Sequence, residues 1–388
     1  MNALYLASAY LRFHWARSLI LIGVAALILL VPMATQILLS TTERQLTVRA
    51  DTTPLLLGRR GSALDLTMNA LYFSDERPPP VAMGSVEEIW DSGLAVPIPL
   101  HTAFETQGVR IVGTSLDYFH FRELHIDQGR QLAVLGEAVI GAGVARRLDK
   151  RVGDSLVSAP QNLFDLDGVY PLEMPIVGIL ARSNSPDDDA VFVDVKTAWV
   201  ISGIGHGHDD VVSTEVPDVG GVEAAPDIVQ YNRITPENID SFHFHGDPGD
   251  YPVSAVVVVP HDQRSSTILR GRYLDAEAPV QLVVPGDVVQ GLIERIFRIK
   301  SILDAVTLVI GLAALAAIGL AMFLSYRLRA REIETAVKLG ARSGMVVRLI
   351  SAEVVIILLT SLGLAVFSAA LVRRNAQGWV AWLLGLGN

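Results

Sequence analysis

Apolar positions gather into three long blocks along the chain, separated by one extended stretch in which they come in short bursts. The first block, Ser18 to Leu39, is longer than the 7–15-residue apolar core of a secretory signal. Val31-Pro32-Met33-Ala34 faintly resembles a cleavage site, but the length favours an uncleaved first span over residues 18–39. Ahead of it, Arg12, His14 and Arg17 interleave with Tyr5, Phe13 and Trp15, so residues 1–17 read as an interfacial helix on the cytoplasmic side.

The second block begins at Pro285-Gly286-Asp287, where Asp287 can cap a helix and Gln290 can answer it three residues later. Val289, Leu292, Ile296, Ile299, Leu303, Val306 and Ile310 then step alternately by three and four, the seam of a coiled coil that wants a partner helix. A one-sided helix facing its own domain gives the same stripe over a few turns. Glu294, Arg295, Arg298 and Lys300 keep the first part in water, whereas Asp304 is the one charge between Ile302 and Leu324. Unbroken over 287–325, the helix would reach roughly 55 Å at about 1.5 Å per residue, against a hydrocarbon core of ~30 Å. It is therefore predicted to be a stalk that continues into a second span. Gly311, Ala313, Ala314, Ala316, Ala317 and Gly319 leave a narrow surface for close helix approach.

The third block predicts a span over 349–372. In the intervening loop, 326–348, Arg327, Arg329, Arg331, Lys338, Arg342 and Arg348 outnumber Glu332 and Glu334, which places the loop in the cytoplasm and the stalk on the opposite side. Ile333, Val337 and Leu339 make a short amphipathic helix that Gly340 can end. Glu353 sits at the start of the third span, where a charge is costly and usually paired; Arg348 is a nearby candidate partner. Residues 373–388 fall outside the cytoplasm or at the interface, because Gly378 to Leu386 is too short to cross.

Between the first two blocks, residues 40–286 can bury a core of their own. Strand-like runs at Val109–Val112, Ala138–Ile140, Ser155–Ser158, Pro175–Leu180, Ala190–Val193, Val253–Val259 and Val280–Val284 alternate with helical ones. Asp187-Asp188-Asp189 reads as a solvated turn. The fold class is an integral membrane protein with three α-helical spans, the second stalk-like, and a large α+β extracytoplasmic domain.

Composition agrees with that division: 51% hydrophobic residues and a mean hydropathy of +0.40 suit a few spans in the lipid bilayer plus a large polar domain. The chain has no cysteine, which excludes disulfides, thiolate metal sites and cysteine nucleophiles. Its net charge of −10 is carried mainly by the middle of the chain, so no nucleic-acid surface is expected. No Gly-x-x-x-x-Gly-Lys-Ser/Thr loop occurs, hence no P-loop nucleotide site, and no Gly-x-Ser-x-Gly elbow or triad is discernible.

Two stretches resemble a known family. Val112-Gly113, Asp117-Tyr118-Phe119, Gly129-Arg130, Val134-Leu135-Gly136, Ala138 to Leu148, Val152-Gly153-Asp154, Val177-Gly178-Ile179-Leu180 and Asp189-Ala190-Val191-Phe192-Val193 are similar in order and spacing to the periplasmic core domain of MacB/FtsX-type permeases, the membrane subunits of type VII ABC transporters. Arg331-Glu332-Ile333, Lys338-Leu339-Gly340-Ala341, Arg348 and Glu353 resemble that family's coupling segment. The resemblance implies a protein of the bacterial inner membrane with residues 40–286 in the periplasm, the core at about 109–195 and a His-rich insertion at about 200–252. It also implies a homodimer without catalytic residues of its own, and a separate cytoplasmic ABC ATPase that binds ATP and docks on Arg331, Glu332, Lys338, Gly340, Arg348 and Glu353. A periplasmic binding or envelope protein is a candidate further partner. The family typically has four spans, one more than is counted here, and a mechanical transmitter that moves no solute is the alternative.

Histidine supplies the most unusual local chemistry. Gly205-His206-Gly207-His208-Asp209-Asp210 and Phe242-His243-Phe244-His245-Gly246-Asp247 each hold a His-x-His pair beside carboxylates. In extended chain His243 and His245 share one side while Phe242 and Phe244 take the other. Imidazoles so placed can share Zn²⁺ or Cu²⁺, with Asp209, Asp210 or Asp247 adding oxygen; solvated loop histidines and a pH sensor are the alternatives. A metal-binding or metal-sensing module is thus a third functional class.

Overall fold

The computed structural model describes residues 3–159, 171–207, 232–275, 277–328, 334–335, 338 and 343–383. The chain divides into two units, one formed by residues 1–45 with 292–388 and the other by residues 46–291.

The first unit is helical. Helix α1 (Ala3–Phe13) leads into α2 (Trp15–Asp51), and the C-terminal half supplies α9 (Pro285–Leu328) and α10 (Ser343–Leu383). Two stretches, Trp15–Thr41 and Val347–Asn375, are long and apolar enough to cross a membrane. Their apolar side chains are largely turned outward, as at Leu19, Ile20, Leu27, Leu359 and Phe367, an arrangement that suits lipid and not water. The inward side uses small residues, with Ala25, Ala26, Ser361, Ala365 and Ala369 all buried. Ser361 Oγ donates to the Ile22 carbonyl at 3.1 Å, a contact that close approach of two helices permits.

Helix boundaries differ from the sequence expectation at two places. Helix α2 continues past Leu39 to Asp51, because Thr41 to Arg44 are too polar for the bilayer yet remain helix-competent. Likewise α10 does not stop near residue 372 but runs to Leu383, past the apolar stretch that ends at Asn375.

The second unit is α+β. Strands β1 (Leu55–Arg59), β2 (Val81–Ala82), β3 (Ala95–Thr106), β4 (Val109–Thr114), β5 (Ile126–Gly129), β6 (Ala138–Ile140) and β7 (Ser155–Val157) precede β8 (Glu173–Leu180), β9 (Ala190–Asp194), β10 (Gly205–Gly207), β11 (Phe242–Phe244), β12 (Pro252–Val253), β13 (Ala255–Pro260) and β14 (Val280–Val283). The interspersed helices are α3 (Ala63–Tyr72), α4 (Gly84–Asp91), α5 (Leu116–Phe121), α6 (Ala142–Arg147), α7 (Val195–Ile201) and α8 (Gln263–Arg272). Ten strands form one mixed sheet in the order β14-β1-β13-β3-β4-β9-β6-β8-β5, with β7 joined to β8.

Central strands are apolar on both faces, as burial on both sides demands. In β13, Val257 packs with Leu56 and Leu100 on one face while Val256 and Val258 pack with Leu55 and Leu57 on the other. The long strand β3 is absent from the strand-like runs of the sequence, and it holds Pro97 and Pro99, residues that a strand interior disfavours. Both lie in the part of β3 paired with β13, ahead of the pairing with β4 that starts at Leu100, so neither removes a hydrogen bond from the β4 ladder.

Candidate functional site

Two clusters in the second unit gather groups that can bind or transmit. The first forms where α2 ends. Arg49, in the last turn of that helix, is buried and directs its guanidinium at Asp187: Nη1 reaches Oδ2 at 2.6 Å and Nη2 reaches Oδ1 at 2.9 Å. Nη2 also donates to Tyr118 Oη at 2.9 Å and Nε to the Leu71 carbonyl. Tyr118 in turn donates to Asp187 Oδ1 at 2.7 Å, and Ser185 Oγ to Oδ2 at 2.8 Å. Every nitrogen of the fork and both carboxylate oxygens are therefore engaged.

The electrostatics follow from that geometry. Burial alone would raise the Asp187 carboxyl, but the charge and hydrogen bonds of Arg49, with those of Tyr118 and Ser185, hold it below its ordinary value. Burial pushes the Tyr118 phenol up, and the Asp187 charge adds to the shift. Next to them, Arg122 lies over the Phe121 ring at 4.7 Å and donates to Thr53 Oγ1 at 2.9 Å.

This arrangement corrects the reading of Asp187-Asp188-Asp189 as a solvated turn. The three form a 3₁₀ turn, Pro186–Asp189, in which Asp187 and Asp188 are buried. Asp188 accepts the Ser183 and Asn184 amides at 2.8 and 2.9 Å, and Asp189 faces Arg147 at 3.6 Å. Gly141 lets the turn approach α6, since a Cβ there would lie 2.3 Å from the carbonyl oxygens of Asp187 and Asp188.

The second cluster is histidine. Strands β10 and β11 pair antiparallel with His206 opposite His243, and the His245 amide extends the ladder to the Ile204 carbonyl at 3.0 Å. His206, His243 and His245 thereby meet, each pair of ring centroids 4.8 Å apart. Asp247 is engaged elsewhere, accepting the Gly249 amide at 2.9 Å. His208, Asp209 and Asp210 lie outside the described residues.

On the expected seam, Val289 is buried within the chain itself, so it faces its own protein and is not available to a partner helix. Leu292 is half-buried, Val306 is exposed, and Ile296, Ile299 and Leu303 lie on α9, which is unbroken through them. Among the coupling residues, Arg331, Glu332 and Gly340 lie outside the described residues. Lys338 pairs with Glu334 at 2.9 Å, Arg348 is exposed, and Glu353 is buried.

Residues 18–230 match the MacB-like periplasmic core domain. No curated protein matches the chain. Among solved structures, the periplasmic region of MacB from Actinobacillus actinomycetemcomitans is similar at 11% identity, covering 64% of this chain and 95% of that one, with a TM-score of 0.35. The extracellular domain of the noncanonic ABC-type transporter YknZ from Gram-positive bacteria is similar at 12% identity, covering 59% and 98%, with a TM-score of 0.33. The family match spans more than half of the chain, from within α2 past Tyr118 and Asp187: the chain belongs to the MacB-like periplasmic core domain family and is a MacB/FtsX-type permease.

Proposed function

We propose that this chain is the permease subunit of an ATP-driven machine of the bacterial inner membrane, a homodimer that passes the cycle of a separate cytoplasmic ATPase to its periplasmic domain. The observation that carries the reading is the continuity of α2 and α9, each of which is helical across the boundary between the two units. A helix that does not break at such a boundary can carry displacement along its length, whereas a loop would absorb it. Helix α9 in this reading holds the stalk and the second span, and its partner copy covers the seam from Leu292 onward.

On the cytoplasmic side, the segment from Arg331 to Arg348 would seat in the ATPase. Its alternating acidic and basic residues suit a protein groove better than an anionic lipid surface. The buried carboxylate of Glu353 would anchor the start of α10. ATP chemistry belongs to the partner in this scheme, and the chain supplies no catalytic group.

A second form of the reading is a mechanical transmitter acting on an envelope partner without moving solute. A flux assay in sealed vesicles separates the two forms. The test of the shared claim is ATP turnover by the reconstituted complex: exchanging charges in Arg331→Glu/Glu332→Arg should uncouple turnover from the permease while leaving it in the membrane. Turnover unaltered by that exchange would count against the docking assignment.

A further inference from the structure

We infer that His206, His243 and His245 form a binding site for one borderline divalent transition ion, Zn²⁺ or Cu²⁺, on the periplasmic domain. The inference is independent of the transmission scheme, because it rests on a two-stranded ribbon built so that one face is apolar and the other is imidazole.

The apolar face comes first. Phe242 and Phe244 pack against the core cluster that includes Met174, Ile201 and Ile234. They also lie over the glycines of the opposite strand: a Cβ at Gly207 would fall 2.6 Å from the Phe242 ring, and one at Gly205 2.6 Å from the Phe244 ring. Glycine on both sides of His206 therefore lets the two rings close down, which fixes the ribbon's orientation. With successive side chains alternating, His206, His243 and His245 are all left on the other face.

The ligand geometry follows. One nitrogen from each ring lies within 4.8 Å of the other two. A tetrahedral ion with Zn–N bonds of ~2.0–2.1 Å needs nitrogens about 3.3 Å apart, a closing within reach of side-chain rotation alone, since His243 and His245 are exposed and His206 half-buried. His243 Nδ1 sits 3.0 Å from the Ser241 carbonyl. A carbonyl only accepts, so in the neutral ring this contact puts the proton on Nδ1 and makes Nε2 the nitrogen able to ligate, the usual second-sphere arrangement.

The donor set selects the ion. Three imidazoles without thiolate favour Zn²⁺ or Cu²⁺ over Mg²⁺ and Ca²⁺, which want oxygen. Among the described residues the cluster holds three imidazoles and no carboxylate, which leaves a fourth position for water or another donor. Binding would clamp β10 to β11, strands separated in sequence by residues 208–241.

The test uses the untagged full chain in detergent, titrated calorimetrically with ZnCl₂ and with CuSO₄ beside His206→Ala and His245→Ala, with His120→Ala as a control at an exposed histidine elsewhere. Loss of an outer-sphere partner typically costs 10–100-fold in metal affinity, and loss of a ligand at least as much. The expected result is about one ion per chain, weakened at least tenfold in both site variants and unchanged in the control, with amide exchange at Gly205–Gly207 slowed by metal in the wild type and the control but not in the site variants. A wild type that binds no more tightly than the site variants, or an affinity that falls equally in the control, would overturn the assignment.

Discussion

Arg49→Met should loosen the attachment of α2 to the periplasmic sheet far more than an exposed ion-pair loss could. The pair is buried on both sides, with side-chain exposures of 8% for Arg49 and 2% for Asp187. Removing one partner of a buried ion pair typically costs about 3–5 kcal/mol, because the remaining charge is left uncompensated. Methionine preserves most of the stem's volume, so the loss is mainly electrostatic. At about 1.4 kcal/mol per factor of ten, native-state hydrogen exchange at amides of the last turn of α2 and of residues 186–189 should accelerate by about 10²–10³-fold or more. The double variant Arg49→Met/Asp187→Asn removes the stranded charge and should recover part of that loss, a coupling expected only for groups in contact. Exchange within about threefold of wild type in the single variant, or strictly additive effects in the double, would refute this account of the junction.

Other consequences are as direct. His101 is buried beside Phe104 with no partner at Nδ1, and burial pushes its pKa down from 6.5 to about 4. The unfolded chain takes up this proton first as pH falls, so stability should decline from about pH 6.5 to about pH 4, by up to about 3 kcal/mol. Thermal unfolding of His101→Leu should show a flatter pH profile across that window, and a profile as steep as wild type would contradict the assignment. Asp187 works in the same direction at lower pH: its depressed carboxyl contributes stability above its unfolded value, and that contribution is lost as pH falls through the folded one. Gly141→Ala should cost about 1–3 kcal/mol or more, since its Cβ would meet two backbone carbonyls; an unchanged melting temperature would show that the turn can yield.

Much of the sheet was legible from apolar runs bounded by turn residues, as at β4, β6, β8 and β9, where burial on both faces leaves little choice of residue. Strand β3 was hidden by its prolines, whose tolerance depends on which edge of the strand is paired. Helix ends were placed at the membrane boundary, but a helix need not end where the bilayer does, and α2 continues to Asp51. The Arg49–Asp187 junction left no local trace: three aspartates in a row look solvated, and the cation that buries one of them lies far away in sequence. Tyr118 was visible as part of Asp117-Tyr118-Phe119, yet its role is set by that same tertiary contact. For the histidines the spacing was readable, whereas the meeting of His206 with His243 and His245 depends on strand pairing across residues 208–241.

The central claim is that an ATPase beneath the membrane reshapes a dimer of this chain above it. The chain has no cysteine, so a single Leu274→Cys substitution at an exposed periplasmic position would carry a spin label without background. Pulsed dipolar spectroscopy on the reconstituted complex, nucleotide-free and with ATP trapped, would read the distance between the two labels. The account predicts one defined inter-protomer distance that shifts on ATP binding, and no shift in Arg331→Glu/Glu332→Arg. Absence of an inter-protomer distance, or a distance indifferent to ATP in the wild type, would contradict it.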